Sequence, residues 1–250
     1  MGEAIPDRTV LQVSGTDREV FLQGLVTNDL RKLKSGAVYA ALLSPQGKYL
    51  ADFFLLDAGE SILLDVATVL SDGLMRRLTM YKLRANVQIQ QTKMTVSRGL
   101  SVPPVGAVSD PRHPALGWRC YGSKVGGPQL TDWTSLRVAY LVPETGIELV
   151  PDETYILEAG FERLNGVDFR KGCYVGQEVT ARMKHKTELR KGLAKVSVDG
   201  PAPLGSTIFS DDKEAGRLLS RSGNRAIAYL RFDRATERMK AGDAVIGLVE

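Results

Sequence analysis

The chain has 250 residues, 43% of them apolar and 25% charged, with a net charge of +4. That is the composition of an ordinary folded protein, long enough for one large domain or two to three small ones, and it excludes a disordered or fibrous chain. There is no apolar run of about eighteen residues to make a membrane-spanning helix, and so mild a basic excess suits an anionic small ligand without arguing for nucleic acid alone.

Residues 8–13 read as a strand, broken by Ser14-Gly15. Thr16-Asp17-Arg18-Glu19 has the spacing of a capping box, in which the Thr16 oxygen takes the Glu19 amide. A short helix is expected through Phe21 and Leu22, stopping near Gly24, with Asn28-Asp29 suited to cap the next turn. Two apolar runs, 37–43 and 48–56, flank Ser44-Pro45-Gln46-Gly47 and predict a hairpin. A third strand at 61–66 follows the turn Asp57-Ala58-Gly59-Glu60. Leu70, Leu74, Leu78 and Tyr81 recur at helical spacing, and strands are expected near 85–90 and 93–98. Residues 99–130 read as loop with one strand at 115–121, followed by a helix at 132–141 and a helical piece from Tyr155 to Phe161. From 192 onward, apolar stretches at 192–198, 206–210, 215–221, 225–232 and 244–249 alternate with turn signals, the pattern of a small closed β-barrel. The domain boundary is expected near 186–192, and the fold class is α+β.

Lys171-Gly172-Cys173-Tyr174-Val175-Gly176-Gln177-Glu178 places a thiol, a phenol, an amide, a carboxylate and an ammonium within eight positions. A buried core has no use for so many polar groups so close together, so the segment reads as a site. Cations flank Cys173 (Arg170, Lys171, Arg182, His185), and cations favour the reactive thiolate. The bland alternative for Cys173 is a small buried hydrophobe. Asp52 interrupts the apolar run Leu50–Leu56, on one face with Phe54 by alternation; the bland reading puts it on a solvent face. The basic stretch Arg182-Met183-Lys184-His185-Lys186 and the late arginines 217, 221, 225, 231, 234 and 238 read as wet surface or as a patch facing phosphates. Two cysteines (120, 173) and two histidines (113, 185), without a C-x-x-C, make no metal site by spacing. Residues 1–7 carry no basic-then-apolar leader, so a reduced thiol pair in the cytoplasm is the expectation.

Lys171–Glu178, extended through Thr180-Ala181-Arg182-Met183-Lys184-His185, resembles the signature of the YgfZ family. Phe21-Leu22-Gln23-Gly24, Thr27-Asn28-Asp29, Ser44–Lys48, Tyr81–Arg84 and Leu164–Phe169 match it in order, over nearly the full length. The stretch Lys186-Thr187-Glu188 departs from it, where relatives often carry a glycine. Members of that family bind folate and assist iron–sulfur cluster assembly, and their fold is similar to the aminomethyltransferase (T protein) of the glycine cleavage system. The resemblance implies a folate-binding body over residues 1–188, with a ferredoxin-like region at about 40–125, and a C-terminal β-barrel at 189–250.

It also implies roles residue by residue. Asp52 stands where the T protein carries its folate-adjacent catalytic aspartate, with Ala51 in place of a paired second aspartate. Tyr39, Phe54 and Leu56 fall where folate is lined, and Arg137 matches an arginine-bearing helix. With Lys171, Tyr174 and Gln177 these are the expected folate-binding residues; Cys173 and Asp52 are the expected reactive pair. Tetrahydrofolate is the implied cofactor. Iron–sulfur enzymes or their assembly machinery are the implied partners; the basic residues leave a weak RNA contact open, and the lack of a long apolar run points to no membrane. A folate-dependent one-carbon transferase and a docking module without chemistry stay open as alternatives.

Overall fold

Two units emerge in the computed structural model, which describes residues 2–124, 126–185 and 188–249. The first comprises Met1–Leu130 with Glu162–Val179, the second Thr131–Phe161 with Thr180–Glu250.

In the first unit, β1 (Glu3–Ala4) and β2 (Arg8–Ser14) precede α1 (Arg18–Gln23) and a 3-10 turn at Leu30–Ser35. The hairpin pairs β3 (Val38–Leu43) with β4 (Tyr49–Asp57), followed by β5 (Ser61–Ala67), α2 (Thr68–Lys82) and β6 (Gln88–Gln91). β7 (Thr95–Gly99), β8 (Val108–Ser109) and β9 (Trp118–Gly122) complete it. A five-stranded antiparallel sheet has the order β3-β4-β5-β2-β6, and a four-stranded one the order β1-β7-β9-β8. Leu11, Val13, Phe53, Leu55, Ile62 and Leu64 face Leu22 of α1 and Leu74 and Leu78 of α2 across one side of the larger sheet. On the other side Tyr39, Phe54 and Asp65 lie in one cross-strand row, with Ala41 and Asp52 in the next. Arg119 and Tyr121 of β9 reach over this second face to Asp65.

The second unit begins with α3 (Trp133–Ala139), and α4 (Gln177–His185) contains the passage of the chain into it. β10 (Lys191–Asp199), β11 (Thr207–Ser210), β12 (Lys213–Ser222), β13 (Arg225–Arg231), β14 (Arg238–Ala241) and β15 (Ala244–Leu248) close into a barrel of order β10-β13-β12-β11-β14-β15. Ala215, Ala226, Ala228, Ala241 and Ala244 share its interior with Val196, Leu218, Leu230 and Ile246. So narrow a closed sheet leaves room for many short side chains. Gly223, with φ of 59°, takes the first position of the two-residue β12–β13 loop, where a tight hairpin requires positive φ.

Several expectations are corrected. Thr16 does not cap α1: Asp17 is the N-cap and makes no side-chain cap bond, because its Oδ2 accepts the Asn86 amide instead. Tyr155–Phe161 forms successive turns, not a helix. Asp52 does not face solvent; it is 4% exposed, since β4 is buried on both faces. β14 and α4 were not foreseen. Among the described residues no helix is long and apolar enough to cross a membrane, and no group of three or more His, Cys, Asp or Glu is placed to hold a metal. The departure from the family pattern at Lys186 and Thr187 lies outside the described residues.

Candidate functional site

The cysteine segment is held by polar bonds to the chain leaving α1. The Lys171 Nζ donates to the carbonyls of Gln23 (2.7 Å), Asn28 (3.0 Å) and Val26. Three acceptors match the three protons of an ammonium, a geometry that favours the charged form. Burial nevertheless pulls its pKa down to about 8, with the charges of Asp29 and Asp168 opposing. The ring centroid of Tyr174 lies 5.1 Å from this ammonium.

Thr27-Asn28-Asp29 ties the same loop from its other side. Thr27 Oγ1 donates to the Gly166 carbonyl (2.7 Å) and accepts the Ala41 amide (2.8 Å), while the Asp168 amide donates to the Thr27 carbonyl. The Asn28 side-chain amide donates to the carbonyls of Tyr39 (2.8 Å) and Asn165 (2.6 Å). Lys32 pairs with Asp168 at 2.7 Å and donates to Asn28 Oδ1. Asp29 does cap the following turn, accepting from the Arg31 amide; the Arg31 guanidinium hydrogen bonds hold its carboxyl down to about 2. Val175 packs against the first unit's core. Gly176 has φ of 82°, and a Cβ there would come 2.5 Å from the Ser44 carbonyl oxygen, so the loop meets the hairpin turn backbone to backbone. On this anchored loop the Cys173 thiol is exposed, as is Glu178, while Gln177 is half-buried.

Asp52 lies on the inner sheet face. It accepts the Tyr49 hydroxyl at 2.7 Å and the Tyr39 hydroxyl at 3.0 Å. A register shift between Leu42 and Leu43 adjoins Tyr49 in the hairpin. Burial first, and then the Asp52 charge, push the Tyr39 hydroxyl well above the ordinary tyrosine range. The neighbouring row is a charge cluster. Asp65, fully buried, pairs with Arg8 and Arg119 at 2.6 Å each and accepts the Tyr121 hydroxyl. Burial alone would raise its carboxyl, but the two guanidiniums outweigh it and hold it low. Asp110 pairs with Arg112 at 2.8 Å. Guanidinium carbons of Arg119, Arg112 and Arg8 lie 4.0, 4.8 and 5.6 Å from the Phe54 centroid, and Arg112 also stands 5.6 Å from that of Tyr39. The rings at 39 and 54 are thus covered by cations in this structure, and Leu56 beside them is 8% exposed.

Arg137 belongs to the second unit. Its guanidinium is committed to Glu144 (2.6 Å), Glu148 (3.3 Å), the Val142 carbonyl and Ser220. The structure therefore brings Lys171, Cys173 and Tyr174 together on one loop, with Gln177 opening α4 just after it, and Tyr39, Asp52, Phe54 and Leu56 on one sheet face. Sequence reasoning missed Tyr49, Arg112 and Arg119, which act across the sheet, and the anchoring work of Thr27, Asn28 and Asp168. For the last three, the order of the polar motifs along the chain was the available signal.

Comparison with known proteins agrees with this architecture. A family model described as the CAF17 C-terminal beta-barrel domain matches residues 190–249. The mitochondrial iron–sulfur cluster assembly factor IBA57 homolog of Pyricularia oryzae is 31% identical, the match covering 98% of this chain and 75% of that protein. The IBA57 protein of Homo sapiens is 32% identical, covering 89% and 75%. The chain belongs to the IBA57 family of iron–sulfur cluster assembly factors. The fold of this IBA57-family chain is that of the glycine cleavage system aminomethyltransferase T. The crystal structure of that protein from Bartonella henselae superposes with a TM-score of 0.79 at 14% identity, over 99% of this chain and 84% of that one. The T-protein-like α+β fold with a C-terminal barrel is therefore as the resemblance implied, and the relatives carry the name IBA57 where the resemblance pointed to YgfZ. The cytoplasmic location is corrected: these IBA57 relatives are named mitochondrial. Reading an address from residues 1–7 misled because those residues carry no information on it.

Proposed function

We propose that this chain serves iron–sulfur cluster assembly, that its working group is the Cys173 thiol, and that it binds a reduced folate, tetrahydrofolate. Membership of the IBA57 family supports the first part. The observation that carries the second is the contrast on one loop: an exposed thiol at 173 beside an ammonium at 171 fixed by three carbonyls. Such anchoring holds a short loop in one conformation while leaving its sulfur accessible to a partner or a cluster. The loop's own residues divide the labour. Lys171 and Tyr174 position it, Gly176 lets it press against the hairpin, and Cys173 meets the outside.

The folate part rests on the fold and on Asp52. Its carboxylate, oriented by two tyrosyl hydroxyls, has the acceptor chemistry that a pterin N–H requires, so the donor set fits the group there. Bound, a reduced folate would supply the pterin and anilino nitrogens that can carry a one-carbon unit. Tyr39 and Tyr49 would fix the rotamer of Asp52, and Asp52 would orient the ligand. Tyr39 and Phe54 lie beneath guanidinium groups in this structure, so they would support the sheet face and Asp52 and would not touch the ligand. Lys171 and Arg137 hold protein groups in this structure, so the proposal gives them positioning work. Calorimetric titration of tetrahydrofolate into wild type and Asp52→Asn tests this part. Binding in wild type, weakened about tenfold or more in the variant, is expected. No binding in wild type removes folate from the account, and equal binding in both moves it away from Asp52.

A further inference from the structure

A surface helix packs one apolar stripe on the core and turns polar residues to water. α2 does the first with Leu74 and Leu78, which are buried. Opposite them, at steps of four, three and four residues, stand Val69, Gly73, Arg76 and Met80, and Leu83 follows at the C-cap. Val69 is 81% exposed, Met80 63% and Leu83 88%. Scattered exposed apolar residues need no explanation, but these share the outer face of one helix.

Two backbone features of that face cost stability without serving the fold. Gly73 sits inside the helix, where glycine is less stable than alanine, and a Cβ added there would meet nothing within 4 Å. Nothing packed on α2 therefore excludes a side chain at 73. The glycine leaves bare backbone open to close approach from outside. Leu83 has φ of 45°, a conformation that glycine adopts without strain and leucine does not. That strain holds a large apolar side chain in water at the end of the stripe, and strained residues gather where a surface is used.

The charges on this face indicate what fits it. Arg76 lies within the stripe, Arg77 and Arg84 lie beside it, and Asp72 is the one acidic residue of α2. Among the described residues these three arginines make no ion pair or side-chain hydrogen bond. A second copy of this chain would set arginine against arginine, whereas carboxylates of a different partner would pair with them.

We propose that the outer face of α2 docks an amphipathic helix of a partner protein, apolar along its contact stripe and acidic at its flanks. The partner helix crosses at Gly73, where the missing side chain lets two helix axes approach to about 8 Å. Val69 lies on one side of the crossing, Met80 and Leu83 on the other. Carboxylates of the partner meet Arg76, Arg77 and Arg84. The 15 residues of α2 make a face about 22 Å long, which suits a transient contact. The surface is separate in sequence from the Cys173 loop and does not depend on the role given to that thiol.

The test uses the full chain and two synthetic helical peptides of equal length, one of leucine and glutamate, the other of leucine and lysine. Binding is followed by calorimetry and amide NMR shifts. The leucine–glutamate peptide is expected to bind with shifts centred on α2, and the leucine–lysine peptide to bind about tenfold or more weakly. Met80→Gln, and Leu83→Gly, which removes side chain and strain together, are each expected to weaken the acidic peptide about tenfold. Gly73→Gln is expected to act in two directions. Binding falls about tenfold because a side chain stands at the crossing, while the unfolding temperature rises by about 2–4 °C because a helix former replaces glycine. Leu204→Ser, an exposed apolar site in the second unit, is expected to leave binding unchanged. Absence of binding by the acidic peptide, equal affinity for the two peptides, or insensitivity to the three α2 variants overturns the proposal. A Gly73→Gln chain less stable than wild type overturns it too, because the glycine would then serve the fold. So does dimerisation of the chain that the α2 variants abolish, which would make a second copy the occupant.

Discussion

The barrel and the five-stranded sheet are both antiparallel, yet they treat charge in opposite ways. The barrel packs a core of apolar side chains, from Val196 to Ile246, and its arginines at 217, 225 and 238 are exposed. The sheet has both faces covered, and its inner face buries Asp52, Asp65 and Arg119. Ionised groups leave water only when paired, and here each has its partners: two tyrosyl hydroxyls for Asp52, two guanidiniums for Asp65. The barrel core relies on apolar packing, and its buried charges, Arg137 and Glu148, meet it from outside at Ser220. The inner sheet face is a polar network whose members depend on one another, the arrangement expected where a fold must specify a site.

The sharpest way to break this comparison is Asp65→Ala. It takes the shared carboxylate from the half-buried Arg8 and from the buried Arg119, which keeps only the looser ion pair with Asp110 at 3.7 Å, and is expected to cost about 3–5 kcal/mol in urea unfolding. Asp233→Ala removes a carboxylate from a solvent-screened pair with Arg231 on the barrel side and is expected to leave the urea midpoint nearly unchanged. Similar losses from the two substitutions would erase the distinction.

Lys171→Met comes next. It leaves the carbonyls of Gln23, Val26 and Asn28 without their donor, an expected loss of about 1–3 kcal/mol near neutral pH. Its pH dependence has a definite sign. The folded pKa of about 8 lies below the ordinary lysine value of 10.5. Between those values the unfolded chain binds more protons, so this group's contribution to stability rises with pH across that window. The burial cost is carried in full below pH 8. Urea midpoints measured between pH 7 and 10 should show the gap between wild type and Lys171→Met widening with pH; a gap that narrows would show that the three carbonyls outweigh burial and would contradict the lowered pKa.

Tyr39→Phe removes one hydroxyl from Asp52 and is expected to cost about 1 kcal/mol, seen as a shift in the urea midpoint without a change in slope. Cys173→Ala has the smallest expected effect on stability, within about 0.5 kcal/mol, because the thiol is exposed. A large loss there would mean that the thiol is structural.

These contrasts explain what was legible in the sequence. The barrel was readable because one of its faces is wet: alternation and turn residues at 199–201, 211–212 and 222–224 marked strands that the structure shows at 191–199, 207–210, 213–222 and 225–231. β14 escaped because Arg238-Met239-Lys240-Ala241 offers only two inward residues. The sheet hid its inner face because a strand buried on both sides loses its alternation, so Asp52 in an apolar run looked like a solvent-facing residue. Arg112 and Arg119 come from a stretch read mostly as loop, and nothing local shows that they reach Phe54 and Asp65. The site loop was visible as a density of polar groups. Which of them anchor it and which face outward was not, since Lys171 and Cys173 differ only through bonds to residues some 145 positions earlier.

The central claim is that the thiol at 173 acts in cluster assembly while the residues around it hold the loop. Its most direct test is the activity of iron–sulfur enzymes in cells depleted of this protein and supplied with wild type or Cys173→Ala at equal abundance. Wild type should restore activity and Cys173→Ala should not, although both fold equally well. Full restoration by Cys173→Ala would contradict it.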